Sequence, residues 1–283
     1  MNLENRTKSE LLNDELKKDL QSRGLEPYEV TTIKNGVPCT GITFRGLQGN
    51  VSPVIYYSED ESIEAFHQRL FSVIDAETPA IDVNLLRDWS YVREHVYPAV
   101  HRCGSEDIIK RNYLNLEAYL RIELLLDDKI GTVKILPWML DCWNVSEDEL
   151  WEAAMQNGNG RYHIRSMSEM LGIPGDDAES MYVATTDEIS DGAAAILFPE
   201  LFHRFCEEHG EQALIILPSS TQEMMVIPES ALSMMNIDAA YLAQMVHEIN
   251  EAQVEPRLQL QAAVYRFSLD TDEITVLAVL DQE

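Results

Sequence analysis

After Lys134 the 283-residue chain contains no lysine, and its remaining cations are Arg161, Arg165, Arg204, Arg257 and Arg266. Residues 137–283 carry 5 basic against 27 acidic side chains, net −22, whereas residues 1–136 carry 16 against 22, net −6. Direct nucleic-acid binding is therefore not expected, because neutralising phosphates needs clustered Lys and Arg. The chain also lacks any apolar run near eighteen residues, and its opening MNLENRTKSE has neither a basic nor an apolar leader segment. Membrane spanning and secretion are not expected, and a cytoplasmic location is. The four cysteines, Cys39, Cys103, Cys142 and Cys206, lie 64, 39 and 64 residues apart, and none of the seven histidines stands in an HExxH or HxH setting. That spacing predicts no metal site, and four cysteines buried as small apolar side chains. GxGxxG, GxxxxGK[ST] and GxSxG are absent too. No cofactor is expected, and dinucleotide, P-loop and hydrolase-elbow chemistry have no support.

What the chain does have is enough apolar residues, 45%, to bury a core despite a net charge of −28. The length is that of one large domain or two ordinary ones. A compact half of 147 residues would be about 38 Å across, and 22 charges match about 37 Å of DNA duplex. The net charge of the second half is thus DNA-like in density, although a compact anion is also simply a soluble one.

Along the chain, residues 8–23 read as a helix with Leu11, Leu12, Leu16 and Leu20 inward, stopped by Gly24. Three β-rich runs follow, 29–34, 37–44 and 51–57, with Asn35-Gly36 as a hairpin signal between the first two. Residues 60–76 place Ile63, Phe66, Leu70, Phe71 and Ile74 on one helical face over this meander. A helical stretch at 82–95 leads to a short segment, 96–101, and Ser105 reads as the start of another helix. Runs 116–126 and 131–136 read as a β-pair, although IELLL fits a buried helix equally well. Ser146 and Glu149 form a capping box for a helix to about Asn157.

The glycine-containing, acidic stretch 161–180 is the expected connector between an N-terminal α+β region, 1–160, and an acidic C-terminal α+β region, 181–283. The second region reads ββαββαββ: strands 181–186 and 193–198, helix 199–209, strands 213–218 and 222–228, helix 238–251, strands 262–268 and 273–280. In the helix at 238–251, Asp238 is the expected cap and Leu242, Met245, Val246 and Ile249 the expected buried stripe. Antiparallel hairpins throughout predict an α+β fold with packed helices.

One polar spot interrupts two apolar strands: Ser219-Ser220-Thr221-Gln222-Glu223, between LIILP and MMVIP. Its serines are candidate nucleophiles or ligand contacts and Glu223 a candidate base, but no neighbouring histidine or lysine activates them. Ser219, Ser220, Glu223, Tyr265 and Arg266 are the candidate binding residues, with no residue assigned to catalysis.

The segments IKNGVPCTGITFR, NVSPVIYY, WNVSEDELWEAAMQN, MYVATTDEISDGAAAILFPELF, ALIILPSSTQEMMVIPE and MVHEINEAQVEPRLQLQAAVYRFSLDTDEI together resemble a bacterial family of unknown function often met among mobile-element cargo. The resemblance covers about 30–270 and implies no activity. Its pattern has a histidine where Gln222 stands and an acid where Ala262 stands, so two ionisable groups are missing here, which favours binding over catalysis.

The leading expectation is a non-enzymatic, acidic interaction protein that binds a basic protein partner, with neither nucleic acid nor membrane bound directly. Its narrowest form is a nucleic-acid-mimicking inhibitor of a host defence or restriction protein. The alternative is an enzyme modifying small molecules or peptides around Ser219–Glu223 and Tyr265-Arg266.

Overall fold

The computed structural model describes residues 11–46, 52–58, 61–76, 81–104, 106–126, 129–173, 180–233 and 237–280. The chain divides into two units, residues 1–84 with 125–131, and residues 85–124 with 132–283.

In the first unit the Asn13 side chain caps helix α1 (Asp14–Ser22), and Gly24 follows the helix at a φ of 78°. Strands β1 (Glu26–Lys34), β2 (Val37–Arg45) and β3 (Ile55–Tyr56) form an antiparallel meander in that order. Asn35 and Gly36, both at positive φ, make the expected two-residue turn. Helix α2 (Ile63–Asp75) is capped by Ser62. Its Phe66 and Leu70 join Leu16, Leu20, Ile42, Phe44 and Ile55 in a closed apolar core. The amphipathic spacing read from the sequence is thus the packing seen.

The second unit opens with α3 (Trp89–His95), half the length of the stretch expected at 82–95. Strands β4 (Val96–Arg102), β5 (Lys110–Tyr113), β6 (Leu116–Leu126) and β7 (Lys129–Lys134) form one antiparallel sheet in which β6 pairs with each of the other three. The helix expected from Ser105 does not form over the described residues; Lys110–Tyr113 pairs with β6 instead. The sheet resolves the ambiguity of IELLL in favour of a strand.

Helices α4 (Pro137–Trp143) and α5 (Glu147–Gly158) follow, the latter closed by the Ser146–Glu149 capping box. The expected connector at 161–180 is folded structure where it is described. β8 (His163–Ser166) pairs with β9 (Tyr182–Thr185), and α6 (Met167–Leu171) lies between them in sequence. The stretch 161–180 falls within the second unit, where β8 is an edge strand of its sheet. Its acidic cluster, 175–179, lies outside the described residues.

The second sheet runs β13 (Glu273–Val279), β12 (Ala263–Ser268), β10 (Ala213–Pro218), β11 (Met224–Pro228), β9, β8. All six residues of β10 are buried, so the strand is covered on both faces. Short helix α8 (Glu229–Ser233) follows β11. Ile215 and Leu217 face Leu242, Ala243 and Val246 of α9 (Ala239–Gln253), while α7 (Pro199–His209) covers the other side through contacts such as Phe202 on Phe267, 5.9 Å between centroids.

The strand expected at 193–198 is a buried 3₁₀ helix, Gly192–Leu197. A short apolar run cannot by itself distinguish a strand from a buried helical segment. The face of α9 also differs: Leu242, Ala243, Val246 and Asn250 are buried, whereas Met245 and Ile249 are exposed. At 100° per residue the buried face is turned by about 65° from the expected one. The turn of the helix has a polar cause, since Asn250 is drawn inward to donate to the Pro218 carbonyl at 3.3 Å. The architecture is α+β, with antiparallel sheets and packed helices.

Candidate functional site

The Ser219–Glu223 segment is the β10–β11 turn, and its polar groups are spent on holding that turn. Ser220 N–H donates to the Glu223 carbonyl (3.2 Å), Gln222 N–H to Ser220 Oγ (3.0 Å), and Thr221 N–H to the Leu258 carbonyl (2.8 Å). Ser220 is 7% exposed. Ser219 Oγ reaches Glu223 Oε1 only at 3.5 Å, too long for a strong hydrogen bond.

Tyr265 is fully buried on β12, its hydroxyl facing Asn115 without a well-aligned hydrogen bond, and burial pushes its phenol well up. Arg266, its neighbour in an extended strand, points to the opposite face. There it holds Glu229 through two hydrogen bonds, 2.7 and 2.9 Å, which keep the Glu229 carboxyl below its usual range. The structure thus gathers Ser219, Ser220 and Glu223 in one turn and separates Tyr265 from Arg266. Accordingly, Ser220→Ala should cost about 1 kcal/mol in stability. Ser220→Ala and Glu223→Gln should each leave partner binding within a few-fold of the parent, as read by titration beside thermal melting; complete loss with an unshifted melting temperature would reveal a reacting site instead.

A larger polar constellation lies on β6. Its even positions from Leu116 to Leu124 are buried and apolar, while Glu117, Tyr119, Arg121 and Glu123 share the other face. Across on β4, His101 stands opposite Glu117 and Tyr97 opposite Arg121. His101, 3% exposed, has Nε2 3.1 Å from Glu117 Oε2 and Nδ1 3.9 Å from Glu106 Oε1, without well-formed hydrogen bonds. Lys110 donates to Glu117 (3.0 Å) and to the Gly104 carbonyl (2.6 Å), and Lys134 pairs with Glu106.

Farther along the row, Arg161 grips Glu123 with two hydrogen bonds, 3.0 and 2.7 Å, and lies over Tyr97 at 4.2 Å. Arg121 bonds Glu123 at 3.0 Å and pairs with Asp191. Burial pushes the adjacent Tyr162 phenol up to about 12. Four cations, Lys110, Arg121, Lys134 and Arg161, meet Glu106, Glu117, Glu123 and Asp191, with Glu188 a further 4.0 Å from Arg161, so each cation of the row has a carboxylate partner. The sequence signal was present in LEAYLRIE, whose polar residues alternate inside an apolar strand.

Burial lowers the pKa of His101 below 6.5, against the raising effect of Glu106 and Glu117, and burial likewise lowers His163. A histidine held neutral in the fold favours the unfolded chain once it must be protonated. Stability should therefore be complete above about pH 6.5 and decline as pH falls, by at most about 1.4 kcal/mol per pH unit for each histidine. His203, exposed and raised by its hydrogen bond to Asp272, acts in the opposite direction but is screened by solvent. Thermal melting at pH 7.5 and 5.5 should show the decline and His101→Gln should flatten it; an identical slope in that variant would contradict the assignment.

Between α5 and β5 a cavity of about 470 Å³ is lined by residues that include Arg111, Asn112, Asp148, Trp151, Glu152 and Met155. Arg111 bonds Glu147 (3.2 Å) and Asp148 (2.5 Å) and lies 4.9 Å from the Trp151 ring centre. Among the described residues, no group of three or more His, Cys, Asp or Glu could hold a metal ion, and no helix is long and apolar enough to cross a membrane. Of the four cysteines expected to be buried only Cys206 is; Cys39 is half-buried, and Cys103 and Cys142 are exposed. The Cys206 thiol is pushed up to about 11 by burial, which leaves it a poor nucleophile.

No curated protein and no solved structure matches the chain. The model of a family of unknown function, DUF5688, matches residues 9–269, and the chain belongs to that family.

Proposed function

We propose that this protein is a non-enzymatic, cytoplasmic interaction protein whose anionic second half binds a basic protein partner. The observation that carries this reading is the fate of the arginines after Lys134. Arg161 is held by Glu123, Arg165 by Asp187 (2.5 Å), Arg257 by Glu255 (2.6 Å) and Arg266 by Glu229 (2.7 Å). Arg204, the fifth, is exposed on α7 and makes no ion pair with the described residues. The second half therefore presents its excess carboxylates with four of its five arginines already paired, which focuses attraction on a positively charged partner.

The narrower form of the proposal is occupation of a nucleic-acid-binding surface by this anion, in the setting of mobile-element cargo that the sequence resemblance suggests. The turn at Ser219–Glu223 supports binding over catalysis, since Ser220 Oγ accepts from Gln222 N–H within the turn and Ser219 Oγ lies 3.5 Å from Glu223 Oε1, too far for a strong activating hydrogen bond. Capture from a native-like lysate at two salt concentrations tests the reading. A basic protein retained at low salt and released at high salt is expected; a neutral or acidic partner held equally at both would overturn it.

A further inference from the structure

Helix α9 turns an apolar stripe to solvent on the side away from Ala243 and Asn250. Tyr241, Met245 and Ile249 are 58%, 37% and 52% exposed, and steps of four residues stack them along one face. Ala252, also exposed, continues the line. Single exposed apolar residues need no explanation, but three large ones aligned over about two turns form a ridge. Beside it run Gln244, Glu248 and Glu251, with Gln244 donating to Glu248 at 2.9 Å. The helix itself contains no lysine or arginine, and Arg102 is the cation whose charge Glu251 supports.

We infer that this stripe is the surface on which the basic partner docks, by an amphipathic helix with apolar residues at three- and four-residue spacing and lysines or arginines alongside. The inference rests on the proposed function and says where and how that partner binds. Charge chooses this occupant. A second copy would bring two acidic flanks together on chains of net charge −28, and an anionic lipid surface would repel the same flank. A cationic amphipathic helix buries the ridge against its own apolar face and sets its cations against Glu248, the helix-on-helix mode of peptide recognition.

The test uses a synthetic leucine–lysine helix of about eighteen residues and an isomer of the same composition with scattered leucines, each titrated into the full chain. The helical peptide should bind about tenfold more tightly than its isomer, as burial of the still-exposed parts of Met245 and Ile249 predicts. Met245→Ser with Ile249→Ser, both at exposed positions, should abolish that preference without changing the melting temperature or the isomer's affinity. Equal, salt-sensitive binding of both peptides to the parent would overturn the stripe while leaving the charge reading intact. Binding of neither would overturn both. Retention on phospholipid vesicles, or a dimer in sedimentation that the double substitution dissolves, would replace the partner helix with another occupant and overturn the inference.

Discussion

Gly192→Ala should lower the melting temperature by about 6–12 °C, the shift that a loss of about 3 kcal/mol produces in a unit of this size. A Cβ at this position would lie 2.3 Å from the Gln222 carbonyl oxygen and 2.5 Å from Thr185 Cα. Both are backbone atoms, one in β9 and one in the β10–β11 turn, so no side-chain rotation moves them out of the way. Overpacking of this kind costs about 1–3 kcal/mol or more in a well-packed core. The 3₁₀ segment sits against β9 and the β10–β11 turn, with Ala193 N–H donating to the Thr221 carbonyl at 3.3 Å. Gly104→Ala is the control, because its nearest contact would be the Arg102 carbonyl at 3.8 Å. Melting of the two variants side by side should separate them; equal curves would show that the Gly192 approach is not tight.

Glu123→Leu should cost about 3–5 kcal/mol, because it strips the carboxylate from Arg121, which is buried, and from Arg161. Most of that loss is the cost of leaving two guanidinium groups short of a carboxylate, Arg121 with Asp191 alone, rather than the worth of the bond. Arg161→Leu in the same chain should therefore restore part of the stability, with a coupling of about 0.5–3 kcal/mol. Denaturant unfolding of the four members of this cycle measures the coupling. Strict additivity would mean that Glu123 and Arg161 do not act as a pair.

These two sites show where sequence reading succeeds and where it stops. Helix α2 was legible because Phe66 and Leu70 recur at helical spacing and Ser62 caps the first turn. The β1–β2 hairpin was legible because Asn35-Gly36 tolerates the left-handed backbone its turn needs. Gly192–Leu197 was misread because periodicity vanishes when every side is buried. The exposed face of α9 was misread because Asn250 turns inward to the Pro218 carbonyl, a tertiary contact that no helical wheel contains. Within the candidate site, the turn at Ser219–Glu223 was placed where the structure has it, since two apolar strands flank it. The ionic row needed partners from β4, β5, β7, the Gly158–His163 segment and Asp191, brought together only by pairing. Alternation along β6 marked its polar face, but nothing local marked what would answer it.

The central claim, attraction of a basic partner to the anionic second half, predicts a rate. Exposed charges are screened over about 8 Å at physiological ionic strength and about 3 Å at 1 M. Stopped-flow association with the captured partner should therefore slow by about tenfold or more between about 0.05 and 0.5 M salt, while dissociation changes far less. An association rate unchanged across that range would contradict the account.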